Sequence, residues 1–182
     1  EPTSIIKKPI PTVPAVEQLP SSGNVVISSI EGGQDAISVG SNGKWTKAKI
    51  GMMLEQGQDI LASPNGSAVF LFSNGSKMRL ASASQISIVS YGIRGDITQT
   101  EILLRVGQIA VAVEKEQAAG NEFKIVSPTA TISVRGTRFL VKYDKTNQES
   151  QVDVNEGIVE VTGKRPWYRA WMFWKKSANI LL

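Results

Sequence analysis

The sequence predicts an all-β fold. Short β-type runs recur between residues 24 and 163, broken roughly every eight to twelve positions as all-β folds require. Dipeptides that supply positive φ punctuate them: Gly32-Gly33, Asn42-Gly43, Asn65-Gly66 and Asn74-Gly75. No stretch of that region sustains a helical period.

The first 23 residues differ from the rest. They carry Pro2, Pro9, Pro11, Pro14 and Pro20, five of the chain's 8 prolines. Proline fixes φ and lacks an amide donor, so 1–23 reads as an extended, proline-rich linker.

The runs then follow in order. Val25-Val26-Ile27 and Ala36 to Val39 come first, then Trp45 to Ile50, Asp59 to Leu61 and Ala68 to Phe72. Met78 to Leu80, Ile86 to Ile88, Ile102 to Val106 and Ile109 to Val113 come next. Phe123 to Val126, Ile132 to Val134, Phe139 to Tyr143, Val152 to Val154 and Ile158 to Val161 complete the set. Asn74-Gly75 between two such runs predicts a two-residue hairpin turn of the I′ kind. Ala110 and Ala112 form a small face opposite Ile109, Val111 and Val113, which suits close approach of a second layer in a stacked or rolled sheet.

Residues 123–141 hold the densest signal. Ala130, Ile132 and Val134 share even parity, whereas Phe139, Val141 and Tyr143 are odd. A change of parity means one residue of register gained or lost, so a bulge or tight turn is expected near Gly136. Val134, Arg135, Gly136 and Thr137 form the structural motif of this break. Arg135 is expected to act as a strut, bridging stray carbonyls and a carboxylate from Asp153, Glu156 or Asp59.

Composition excludes much chemistry. The chain has no cysteine and no histidine, so thiolate nucleophiles, disulfides, histidine triads and most zinc or iron sites cannot be built. Hydrophobic residues at 41% and charged residues at 20% describe a globular chain. No apolar run approaches the roughly 18 residues needed to cross a bilayer. The net charge of +4 is small and scattered, which does not suit nucleic-acid binding. A glycosidase needs only two carboxylates, and Asp59, Asp96, Glu101, Asp153 and Glu156 are available. None stands in a motif, and Asp153 with Asn155-Glu156 lacks an EF-hand calcium spacing. The expectation is a non-enzyme without catalytic residues, cofactor or metal. The chain begins at Glu1, which reads as a processed protein whose export signal has been removed.

Residues 164–182 form an aromatic-basic tail. Trp167, Trp171 and Trp174 lie at i, i+4 and i+7 after Pro166, the spacing of a short C-terminal helix over Pro166 to Lys176. With Arg169 and Lys175 they offer a contact to a partner, a membrane interface or an anionic glycan. Laid over the open end of the β domain as a helix or strand, the tail would instead cover apolar side chains and sheet edges, which is the favoured role; membership of a further domain is a third.

The block from Ser127 to Val141, with Val134-Arg135-Gly136-Thr137 at its centre, resembles the FecR-like domain family. Gly57 to Leu61, Gly66 to Leu71, Asn74-Gly75-Ser76 and Val152 to Val159 resemble further stretches of that family, in its order. The resemblance implies an all-β domain over 24–163, built as a solenoid-like or roll-like stack of short strands. It implies a place beyond the bacterial inner membrane, periplasmic or extracellular. Two functions follow. One is a non-catalytic binding or scaffolding module contacting an envelope protein or cell-wall glycan. The other is the sensory part of a trans-envelope anti-sigma regulator responding to a TonB-dependent transporter.

Overall fold

A computed structural model describes residues 25–33, 35–94, 97–114 and 122–163. All of its regular structure is strand: β1 (Val25–Glu31), β2 (Ile37–Ser41), β3 (Lys44–Lys47), β4 (Met53–Leu54), β5 (Asp59–Ala62) and β6 (Ser67–Phe72). β7 (Lys77–Leu80), β8 (Gln85–Arg94), β9 (Ile97–Ala112), β10 (Glu122–Val126), β11 (Ala130–Asp144) and β12 (Glu149–Gly163) follow. They join in one 12-stranded sheet, curled into an open half-barrel.

The 16-residue strand β9 is the spine. Its first half pairs with β8 on one side and, in parallel, with β10 on the other. Its second half pairs antiparallel with β7 and β11. The buried side chains of β9 change from even (Ile102, Leu104) to odd (Ile109, Val111) across Gly107, whose φ is +92°. Glycine permits that bend because it has no Cβ to clash. A Cβ at Gly107 would lie 2.6 Å from Ser84 Cβ, so glycine is also needed for space.

Alternating burial builds one continuous core. Ile27, Phe70, Phe72, Met78, Leu80, Ile86, Ile102, Ile125 and Val141 all lie on the inner face. Phe72 and Phe123 meet edge to face with ring centroids 5.3 Å apart, and Tyr91 closes on Phe72 at 5.6 Å.

Several expectations change. The solenoid-like or roll-like stack is not confirmed. Positive φ at Gly107, Gly136 and Gly157 bends long strands instead of ending short ones. The small face of β9 faces outward: Ala110 is exposed. Asn74-Gly75 does join β6 to β7, but through a three-residue loop. Gly75 N–H donates to Phe72 O at 2.9 Å, Phe72 N–H to Ser76 O at 3.0 Å, and only Gly75 of the loop has positive φ. Asn74 instead uses its side chain, Oδ1 accepting from Ser76 N–H at 3.0 Å. The two-residue turn with both φ positive falls at Asn42-Gly43, between β2 and β3.

The linker 1–23 lies outside the described residues. So does the expected C-terminal helix over Pro166 to Lys176; the described residues hold no helix. None is therefore long and apolar enough to cross a membrane among them.

Candidate functional site

The distortion expected at Gly136 is present. On β11, Arg135 stands opposite Ile158 of β12, and Arg138 opposite Glu156. Two residues, Gly136 and Thr137, therefore face the single residue Gly157, which is a bulge. A second irregularity follows at once, where Arg138 opposes Glu156 but Phe139 opposes Val154, leaving Asn155 extra on β12. The two bulges compensate, so the hairpin regains its register.

Both glycines at the bulge sit at positive φ, +58° for Gly136 and +93° for Gly157. Thr137 is buried over Gly157, and its carbonyl accepts a 2.8 Å hydrogen bond from Val113 N–H at the end of β9. The Thr137 hydroxyl has no hydrogen-bond partner among the described residues. Val134 is buried on the inner face, whereas Arg135 points outward and is exposed.

The three carboxylates expected around Arg135 are placed differently. Asp59 accepts from the Ser87 hydroxyl and lies 3.5 Å from Arg105, whose Nε also donates to Ser87 Oγ at 2.9 Å. Asp153 accepts from Gln151 Nε2 at 3.1 Å. Glu156 lies 3.7 Å from Nε of Arg138, the next arginine along. An arginine next to a bulge lands on whichever face its parity dictates, and parity puts Arg135 outside. Of the remaining carboxylates, Glu101 is half-buried in the middle of β9, and Asp96 lies outside the described residues. Among the described residues no three carboxylates gather to hold a metal ion.

A hydroxyl cluster marks the far end of the hairpin. Ser127 and Thr129 lie 2.7 and 2.6 Å from the Ser150 hydroxyl, and Ser127 Oγ accepts from Ala130 N–H at 2.9 Å. These bonds shape the turn into β11. Trp167, Arg169, Trp171, Trp174 and Lys175 lie outside the described residues.

Sequence reasoning missed the surface beside the bulge. Strand β12 borders β11 on one side only among the described residues. Ile158 is 85% exposed on it, with Val154 and Val161 at 45% and 37%. The available signal was a valine alternation interleaved with carboxylates from 149 to 161.

Among the described residues, a curled sheet whose β11–β12 hairpin is bent by paired glycines defines an all-β module, with Val134-Arg135-Gly136-Thr137 at the bend. The profile of the FecR protein family matches residues 58–160, more than half of the chain, and the chain belongs to that family. No curated protein matches it. A solved structure from Parabacteroides distasonis, described as a "putative anti-sigma factor", is similar at 20% identity and a TM-score of 0.48. The match covers 59% of this chain and 48% of that one, so the chain spans about half the length of that protein.

Proposed function

We propose that the chain is the sensory part of a trans-envelope anti-sigma regulator, placed beyond the bacterial inner membrane and responding to a TonB-dependent transporter. Family membership over residues 58–160 carries the proposal, since the family resemblance implies such regulators. In this reading the domain is non-catalytic and acts by binding an envelope protein. Its rigid parts suit that work: a core closed by Phe70, Phe72 and Phe123 holds the β11–β12 hairpin in place.

The test is transcriptional. Deleting the gene should change expression from promoters of its partner sigma factor, and the wild-type gene should restore it. Unchanged transcription overturns the regulatory reading. Retention of the purified chain on cell-wall glycan would then support a scaffolding role.

A further inference from the structure

Among the described residues three strands end the sheet, β3, β4 and β12, and they are unlike; β4 has only two residues, Met53–Leu54. Strand β3 has four residues, Lys44 to Lys47, with lysines on both faces, a short and blunted edge. Strand β12 has fifteen residues and no lysine or arginine. A long edge strand leaves a row of backbone donors and acceptors open to another strand.

The side chains of β12 are sorted by face. Val152, Val154, Val159 and Val161 stand opposite Val141, Phe139, Val134 and Ile132, continuing the apolar inner row of β11 to the rim. The other face carries acidic groups, with Asp153 opposite Leu140, Glu156 opposite Arg138 and Glu160 opposite Ser133, and exposed Ile158 among them opposite Arg135. β11 presents Arg135, Arg138 and Lys142 on that outer face. Charge thus alternates from strand to strand, basic on β11 and acidic on β12.

We propose that β12 is a docking edge, to which a partner protein adds a strand alternating apolar and basic residues. The apolar set would extend the inner row over Val154 and Val161, and the basic set would face Asp153 and Glu160. A second copy fits poorly. Pairing β12 with β12 sets carboxylate against carboxylate, which destabilises a ladder. The edge of β3 is too short, and it puts Thr46 and Lys44 on the inner face, opposite Val39 and Ser41, where apolar residues are needed. The inference concerns a surface and does not depend on the regulatory reading.

The test uses the full chain and a fluorescein-labelled 11-residue peptide of alternating valine and lysine. A valine–glutamate peptide serves as reference. The lysine peptide should bind and slow hydrogen exchange at the outward amides of β12, and the glutamate peptide should bind at least about tenfold more weakly. The double variant Asp153→Lys, Glu160→Lys should reverse that preference. Equal binding of both peptides, no binding, or an unchanged preference in the variant overturns the proposal. So does slow exchange at those amides in the free chain, which would mean that its own tail or a second copy already covers the edge.

Discussion

Thr137 packs its methyl group onto the bare Cα of Gly157. A Cβ built there would run into Thr137 Cγ2 and lie 3.0 Å from the Gly136 carbonyl oxygen. The backbone of Gly157 is also at φ +93°, where side chains are strained. Gly157→Ala should therefore lower unfolding free energy by about 2–4 kcal/mol in denaturant titration. A change below about 1 kcal/mol would show that the bulge relaxes freely.

The Thr137 hydroxyl gives the opposite expectation. It is buried and has no protein partner among the described residues, so it was stripped of water without a replacement bond. Thr137→Val keeps the shape and removes the polar atom. Thermal unfolding should show a gain of about 1 kcal/mol. A loss would reveal that the hydroxyl is bonded in solution.

Arg135 is exposed, so its truncation should leave the fold intact. Unfolding free energy of Arg135→Ala should stay within about 0.5 kcal/mol of the parent. Arg138→Ala should cost no more than about 1 kcal/mol, because its pair with Glu156 is largely exposed and 3.7 Å long. A larger loss at Arg135 would restore it as a structural strut.

Phe72 joins the two halves of the core, touching Tyr91 of β8 and Phe123 of β10. Phe72→Ala removes both ring contacts and leaves a cavity, at about 3–5 kcal/mol. Chemical denaturation would measure it, and a cost near 1 kcal/mol would mean that the core collapses around the gap.

The turn between β11 and β12 should respond to acid. Asp144 accepts from the backbone N–H of Thr146 at 2.8 Å and of Asn147 at 3.4 Å. The Thr146 bond is the main reason its carboxyl lies below the ordinary aspartate value, against an opposing desolvation. A depressed pKa stabilises the fold above the unfolded value, and the benefit disappears as pH falls through the folded one. The Thr146 amide should exchange faster, relative to its intrinsic rate, once Asp144 is protonated. In Asp144→Asn that acid dependence should vanish.

Much of this was readable from side-chain alternation. The even-to-odd change between Val134 and Phe139 located the bulge, because a buried face enforces register. The same parity places Arg135 on the outer face beside buried Val134, so its exposure was inferable too. The roles of Gly107 and Gly157 were not, since positive φ serves a turn and a bulge alike. Only pairing with β7, β8, β11 or β10 decides between them. The parallel match of β10 to β9 was equally hidden: Phe123 to Val126 alternates as any half-buried strand does. The edge at β12 looked like an ordinary strand because exposure depends on which neighbours arrive.

The shared strand β9 also bears on how the chain acquires its shape. β7 and β8 precede it, β10 and β11 follow it, and all four use its edges. Until β9 is laid down, the C-terminal hairpin has no template, and the earlier strands lack their central wall. Most of the pairings that matter are distant in the chain, such as Val25 with Phe72 and Lys77 with Ala112. Closing such loops before any reward slows folding to the millisecond-to-second range of all-β domains. Refolding of the two halves should therefore be concerted, with amide protection in β6 and in β12 recovering at one rate.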